Sequence, residues 1–215
     1  EAKLWLSRAT SQSRDALATS NFYYAVHEFY LDRSAFGTSA LYVEPGKKAP
    51  LNCQAWACGT FVIDEDDEGA VDTVIRSFKL TARQAVKKFG IDKVSQRVRD
   101  RFEKDHGKQA HEETEYLHSI YPRDEADREK ITINDGEAGD PSQGYKRDGA
   151  NMEFASIYTD LDNEHTCRVH GYEEHPVMVS RYLQWGSGIG ACYGWAPSFA
   201  ALPEARQLNF LQKML

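Results

Sequence analysis

A glycine-rich stretch, residues 186–191 (Gly-Ser-Gly-Ile-Gly-Ala), has the residue types and spacing of a loose G-x-G-x-x-A dinucleotide fingerprint. Such a fingerprint binds pyrophosphate where a helix begins directly after it inside a βαβ unit. Here Tyr193, Gly194, Trp195 and Pro197 follow instead, and these residues disfavour an immediate helix. We therefore expect a tight loop with packed aromatic side chains, and a nucleotide-binding enzyme that uses residues 186–194 is the less favoured alternative.

Two further clusters carry the side chains of metal ligands. Asp64–Gly69 resembles the start of a calcium loop, but Ile75 occupies the twelfth position, where such a loop needs a bidentate glutamate. His165, Cys167 and His170 offer nitrogen and sulfur ligands, yet alternation along a strand places His170 on the face opposite to the other two. We expect a hairpin turn at Asp64–Gly69 and no metal site at either cluster.

Cysteine and serine are the candidate nucleophiles. The four cysteines (Cys53, Cys58, Cys167 and Cys192) are few and spread out, which favours free thiols over a disulfide framework. Ser187 lies between glycines, but not at the spacing of a Gly-x-Ser-x-Gly elbow. Cys58 with one of the seven histidines stays open, although nothing singles that pairing out. The sequence thus predicts no catalytic residue, no cofactor and no enzymatic role.

The composition is that of a folded globular protein. Hydrophobic residues make up 41% of the 215 residues and charged residues 27%, and no run of 18 apolar residues could span a membrane. The net charge of −7 argues against tight phosphate binding, and the basic patches Lys87–Lys88 and Arg97–Arg101 fit solvated helix faces. Because there is no initiator Met and the closing helix lacks a Gly or Asn cap, we expect a segment of a longer chain.

Hydrophobic periodicity predicts helices at both ends of the chain with strands between them. One long helix, or two in series with a break at Ser20–Asn21, covers residues 4–32 and stops at Phe36–Gly37. Thr81 and Gln84 form a capping-box pattern that opens a helix. The predicted elements are strands 39–44, 51–58, 60–63 and 71–80, forming one antiparallel meander; helices 82–89 and 93–104; strands 112–122, 152–159, 166–172 and 177–185; a long mobile loop 123–150; and a closing helix 203–215. This order indicates an α+β fold.

Five blocks of residues in order resemble the head-to-tail connecting, or portal, protein family of short-tailed bacteriophages. They are Ser20–Tyr23 with Leu31–Asp32 and Phe36–Tyr42; Gly69–Arg76 with Phe78, Leu80–Gln84 and Phe89–Gly90; His118–Arg123; Phe154–Tyr158 with Gly171–Pro176 and Arg181–Tyr182; and Tyr193–Pro197 with Ala201–Glu204 and Leu208–Asn209. The resemblance covers residues 5–215 and rests on the order of the blocks, because no single block is specific. The stretches 123–150 and 186–192 depart from the family pattern.

This resemblance implies a structural protein. Portal subunits form a ring, usually of twelve copies, at one capsid vertex, through which double-stranded DNA enters during packaging and leaves on infection. The expected partners are other copies, the capsid protein, the terminase motor, which hydrolyses the ATP, and tail or adaptor proteins. The expected location is the virion, and the host cytoplasm during assembly. A phage neck or adaptor protein is the alternative.

The resemblance also implies a division of the chain. Residues 1–38 are a helical segment, residues 39–202 a β-rich wing domain, and residues 203–215 the start of a stem helix. We expect the helix over 4–32 and the loop 123–150 to contact neighbouring subunits. An acidic chain suits a channel, because neutralising several phosphates would grip the DNA.

Overall fold

The computed structural model describes residues 2–104, 110–128, 148–184 and 192–214. Within these ranges all strand pairings are antiparallel, and the mixture of helices with antiparallel sheets confirms the predicted α+β class. The helices are α1 (Ala2–Thr19), α2 (Phe22–Phe36), α3 (Ala82–Phe89), α4 (Gln96–Glu103) and α5 (Pro197–Met214). The strands are β1 (Thr38–Pro45), β2 (Leu51–Trp56), β3 (Phe61–Glu65), β4 (Val71–Thr81), β5 (Glu113–Pro122), β6 (Phe154–Asp160), β7 (His165–Tyr172) and β8 (Val177–Arg181). No helix in the described ranges has the length and apolar character needed to cross a bilayer.

The chain divides into two compact units. The first unit joins Glu1–Gly59 to Pro176–Leu215 and holds a three-stranded sheet in the order β2-β1-β8. The second unit, Thr60–His175, holds a five-stranded sheet in the order β3-β4-β5-β6-β7. These units cut across the segments 1–38, 39–202 and 203–215, and that functional division stays a prediction.

The prediction of one meander over residues 39–80 is wrong. The hairpins β1–β2 and β3–β4 both form, but they belong to different sheets. On its other side β1 pairs with β8, from Thr38 opposite Arg181 to Tyr42 opposite Val177. Periodicity alone cannot reveal this, because any antiparallel neighbour satisfies the same alternation.

The break between α1 and α2 lies at Ser20–Asn21, as predicted. The Ser20 hydroxyl accepts a hydrogen bond from the Phe22 N–H at 3.2 Å. The Asn21 side chain does not cap α2 but pairs with the backbone of Cys53 in β2, donating to its carbonyl at 2.7 Å and accepting from its N–H at 2.8 Å. This pairing positions α2 over the small sheet, where Ala25, Leu41 and Cys53 form the buried core.

The capping box predicted at the start of α3 is present. The Thr81 hydroxyl accepts from the Gln84 N–H, and the Gln84 side chain accepts from the Thr81 N–H at 2.9 Å. One face of α3 is therefore held against the sheet, where Ala82, Ala85 and Phe89 pack with Tyr116 and Tyr158. Helix α4 adds Val98 to the same cluster.

Several boundaries differ from the predicted ones. Helix α5 begins at Pro197, which needs no N–H partner at the first helical position, and it continues through the predicted start at Pro203. Strand β8 ends at Arg181, before the predicted residue 185, which lies outside the described residues. Helix α4 begins only at Gln96, after a short 3-10 turn at Ile91–Lys93. Residues 129–147 of the predicted loop 123–150 also lie outside the described part of the chain.

Candidate functional surface

The acidic stretch Asp64–Gly69 is a hairpin turn between β3 and β4, as predicted. One Asp66 carboxylate oxygen accepts from the backbone N–H groups of Glu68 at 3.0 Å and Ala70 at 2.8 Å. Gly69 adopts the left-handed conformation with φ 83°, which a side chain would strain. The Asp66 carboxylate therefore stabilises the turn through the backbone.

The three candidate ligands on β7 do not converge. Cys167 is buried in the core cluster with Tyr116 and Tyr158, where burial raises the pKa of its thiol to about 11. The His165 ring nitrogen Nε2 lies 3.2 Å from the Lys93 carbonyl oxygen. His170 contacts Tyr172, with ring centroids 5.7 Å apart. Among the described residues there is no group of three His, Cys, Asp or Glu side chains that could hold a metal ion.

Cys58 lacks the environment of an activated nucleophile. Partial burial and then the nearby Asp32 carboxylate raise the pKa of its thiol. A reactive cysteine needs the opposite, a nearby positive charge that favours the thiolate. The raised pKa therefore leaves Cys58 protonated at neutral pH.

The glycine-rich stretch 186–191, including Ser187, lies outside the described residues. The residues that follow it are packed tightly against the end of α2. The Gly194 N–H donates to the Thr38 hydroxyl at 2.7 Å, and a Cβ added to Gly194 would lie 2.1 Å from the Gly37 carbonyl oxygen. Strand β8, which precedes the stretch, is antiparallel to β1 rather than part of a βαβ unit. This context does not match the one that a dinucleotide fingerprint requires.

A shallow groove lies beside α3 and α4. Its volume is about 640 Å³, and its lining includes Arg83, Lys87, Phe102 and His111. None of the described lining residues carries a hydroxyl or a thiol. The described part of its lining therefore offers no serine, threonine or cysteine nucleophile.

Sequence reasoning missed a buried histidine in the middle of the large sheet. His118 is 2% exposed, its Nε2 lies 2.9 Å from the Ser156 hydroxyl, and its ring stacks on Tyr158 with centroids 3.8 Å apart. Burial lowers the pKa of His118 to about 3, and the positive charges of Lys88, Arg76 and Arg168 add to the effect. His118 is therefore neutral at physiological pH and part of the core. The alternation of β5 contains the signal, since His118 shares its face with Tyr116 and Ile120.

A second buried polar network lies around Asp160, at the end of β6. Asp160 is fully buried, and its carboxylate accepts from the Ser95 hydroxyl at 2.8 Å and from the Asn163 side-chain amide at 2.8 Å. The Asn163 N–H donates to the other carboxylate oxygen at 3.1 Å. Hydrogen bonds to a buried carboxylate offset the cost of removing it from water. This network ties the start of α4 to the β6–β7 turn.

Helices α1 and α5 expose large apolar side chains. Neither helix has a buried residue among those described. In α1 the first turn exposes Leu4, Trp5 and Leu6, with Trp5 68% exposed, and in α5 Phe210 is 64% exposed. Helices in proteins draw most of their stability from packing of an apolar face. Exposed apolar surface on this scale indicates contact with another surface.

Comparison with known proteins supplies the context of this surface. Residues 1–215 match the family model described as "Bacteriophage head to tail connecting protein". The chain is 34% identical over 212 residues to the "Probable portal protein" of Bordetella phage BPP-1 and 26% identical over 215 residues to the "Portal protein" of Salmonella phage epsilon15. Each match covers 98% of this chain, and the chain spans about a third (34%) of the length of either relative.

Proposed function

Because the chain belongs to the bacteriophage head to tail connecting protein family, we propose that the protein containing it is a portal subunit. In this role, copies of the subunit form a ring around a channel at one capsid vertex. Double-stranded DNA passes through the channel during packaging and ejection. The protein is structural in this proposal, and ATP hydrolysis belongs to a terminase motor that docks on the ring.

The names of the relatives favour a portal over a neck or adaptor protein. Both relatives are named portal proteins, and both match almost the whole chain. The five sequence blocks that carry the family resemblance run through both compact units. A shared order over the full segment supports a shared role.

The observation that carries the proposal is the exposed apolar surface of α1 and α5. Within this chain Trp5 and Phe210 are exposed, together with their apolar neighbours. Burial of apolar surface contributes roughly 25 cal/mol per Å², so covering these helices would stabilise an assembly. A ring of identical subunits offers such cover to every copy through head-to-tail contacts.

The charge of the chain suits a channel through which DNA must slide. The net charge is −7, with 33 acidic against 26 basic residues. Each phosphate neutralised by Lys or Arg strengthens binding and makes it dependent on salt. An acidic subunit limits this grip, and DNA therefore moves past it without being held.

The remaining partners follow from the same role. We propose that residues 39–202 form the wing of the subunit, that residues 203–215 lead into its stem, and that the complete ring numbers twelve copies. The capsid protein surrounds the ring, and tail or adaptor proteins dock after packaging. The protein then resides in the virion, and in the host cytoplasm while particles assemble.

Native mass spectrometry of the full-length protein, with class averages of negatively stained particles, tests the proposal. We expect closed rings with a central hole and a mass that is an integer multiple of the subunit mass. In a closed ring every subunit makes two contacts, so the mass should stay unchanged on dilution. Weakly associated chains should instead dissociate. A protein that stays monomeric at every concentration would rule out the portal role.

A nucleotide screen tests the alternative of an enzyme that uses residues 186–194. A ligand at about 100 times its dissociation constant adds about 2.7 kcal/mol to the free energy of unfolding. We expect no thermal shift with nucleoside mono-, di- or triphosphates. A reproducible shift that disappears when Gly188 is replaced by Val would instead support a nucleotide site.

A further inference from the structure

The five-stranded sheet has a second face, opposite to the one on which α3 and α4 pack. Tyr116 and Tyr158 point toward the helices, so their neighbours along β5 and β6 point the other way. The strand registers align one residue from each strand across this second face. This open row consists of Val62, Ile75, Ser119, Ile157 and Val169.

The open row is apolar and accessible. Val62 on β3 is 56% exposed and Val169 on β7 is 52% exposed, while the three residues between them are half-buried. Toward one end the face is covered near Gly171, where a Cβ would lie 2.7 Å from the Gly149 carbonyl oxygen and 2.8 Å from Met152 Cβ. The row itself stays open among the described residues, and its four aliphatic side chains favour an apolar partner.

The size of the open row indicates what kind of partner it suits. Five strands about 4.8 Å apart make the row about 19 Å long, and one residue per strand makes it about 7 Å wide. The row therefore offers on the order of 130 Å², against the roughly 800 Å² that each partner buries in a standard two-body interface. A contact this small is suited to an assembly in which symmetry repeats it, as in a ring of identical chains.

The charge of the second face indicates which element of a second copy would bind there. The strand residues on this face carry a net charge of −2, from Asp64, Glu113 and Glu115 against Lys79. Helix α1 carries a net charge of +2, from three basic residues and one acidic residue. By the same count α2 carries −1 and α5 carries +1. Of the helices with exposed apolar side chains, α1 is thus the best electrostatic match.

We propose that the open row receives the first turn of α1 from a second copy of the chain, with Trp5 as the anchor residue. This inference rests on the proposed function, because it names the contact between neighbours in the ring. Trp5 is 68% exposed in this chain, and tryptophan is one of the residue types enriched at the positions that contribute most binding energy. Leu4 and Leu6 flank it and extend the apolar contact along the row.

The proposed contact is head-to-tail. Each subunit uses α1 to contact one neighbour and the open row to contact the other. Every contact therefore pairs two different surfaces. A heterologous contact of this kind closes into a ring when the rotation between subunits divides a full turn. It predicts that cross-links between the two surfaces join different chains.

Cysteine cross-linking in the full-length protein tests the direction of the contact. The variant carries Leu6→Cys and Val169→Cys together and is treated with a short bismaleimide. We expect a ladder of covalent multimers on a denaturing gel, whereas each single substitution alone gives only the background of the native cysteines. A cross-link confined to one chain, or a dimer formed by Leu6→Cys alone, would contradict the head-to-tail contact.

Charge substitution tests the energetic role of the row. Val169→Lys should raise the concentration needed for half-maximal assembly by about tenfold or more, because a desolvated lysine would face Trp5. Leu161→Lys is the matched control, since Leu161 is 43% exposed in the turn after β6 and lies off the row. We expect this control to assemble within twofold of the unaltered protein. Rings that form normally with Val169→Lys would overturn the inference and leave the portal proposal standing, whereas an unaltered protein that never assembles would overturn the portal proposal itself.

Discussion

At the scale of single residues, the end of α2 approaches the backbone of residues 194–196 closely. The Gly37 carbonyl accepts from the Tyr182 N–H at 2.8 Å, and a Cβ added to Gly37 would lie 2.2 Å from the Gly194 carbonyl oxygen. Gly37 also has φ 81°, a conformation in which a side chain is strained. Both the conformation and the space at this position therefore demand glycine.

Replacing Gly37 with Ala should lower the free energy of unfolding by about 3 kcal/mol or more, because left-handed strain and a backbone clash add together. Gly69→Ala is the matched control, since Gly69 has φ 83° but nothing within 4 Å of its would-be Cβ. We expect this control to cost only about 1–2 kcal/mol. Urea denaturation followed by circular dichroism measures both, and equal losses would show that the close approach to Gly194 is unimportant.

The buried His118 should make stability depend on pH. Its pKa is about 3 in the folded protein, against 6.5 in a model compound. Between these values the unfolded chain binds more protons than the folded one, so stability is greatest above pH 6.5 and falls as the pH drops toward 3. The slope from this one group is at most about 1.4 kcal/mol per pH unit.

Urea denaturation at a series of pH values between 7 and 4 checks the effect of His118. We expect His118→Gln to flatten the decline of stability with acidity, although it lowers stability at neutral pH by disturbing the stack on Tyr158. The control is His165→Gln, because His165 contacts the Lys93 carbonyl near the surface. A decline as steep in His118→Gln as in the unaltered protein would assign the acid sensitivity to other groups.

At the scale of elements, the connection between α1 and α2 holds the helices to the small sheet. The Asn21 amide satisfies both the N–H and the carbonyl of Cys53, a buried residue of β2. A buried backbone group without a partner costs about 1–3 kcal/mol. The Asn21 side chain therefore provides β2 with the two backbone hydrogen bonds that a neighbouring strand would otherwise provide at Cys53.

Asn21→Ala should lower the free energy of unfolding by about 2 kcal/mol or more, because two backbone groups lose their partner. The control is Ser13→Ala in the exposed part of α1, whose hydroxyl bonds only to the Ala9 carbonyl of its own helix. Its expected effect is within about 0.5 kcal/mol. Thermal or urea unfolding of the two variants side by side measures the difference. Similar, small losses in both would mean that water replaces the Asn21 amide.

At the scale of the whole molecule, α5 should contribute to assembly but not to the fold of one copy. Phe210→Asp places a charge on an exposed apolar surface, and no buried contact of the described chain is lost, since α5 has no buried residue. We expect an unchanged circular dichroism spectrum and a loss of rings in the full-length protein. Gln212→Asp adds the same charge at an exposed polar position on the opposite side of the helix and should leave most rings intact. Rings that tolerate Phe210→Asp would exclude this face of α5 from the interface.

How much the sequence could predict depends on the range of the interactions involved. The capping box of Thr81 and Gln84, the helix stop at Gly37 and the turn at Asp64–Gly69 each involve a few neighbouring residues, and all were predicted correctly. The prediction that His170 faces away from His165 was wrong, because a bulge shifts the β6–β7 register between Tyr158 and Thr159. His170 and His165 therefore pair with Ser156 and Asp160 on one face of the sheet. The buried network around His118 was missed, because burial depends on strands and helices that are distant in the chain.

The sequence by itself determined the α+β class, the bounds of most elements and the family, because periodicity, turn residues and ordered blocks are properties of the chain. Only the tertiary structure decided that β1 pairs with β8, that the two hairpins belong to separate sheets, and that the open row and the first turn of α1 are left exposed. The physical reason is that strand alternation specifies which side chains share a face, whereas the partner of that face depends on contacts between residues far apart in sequence.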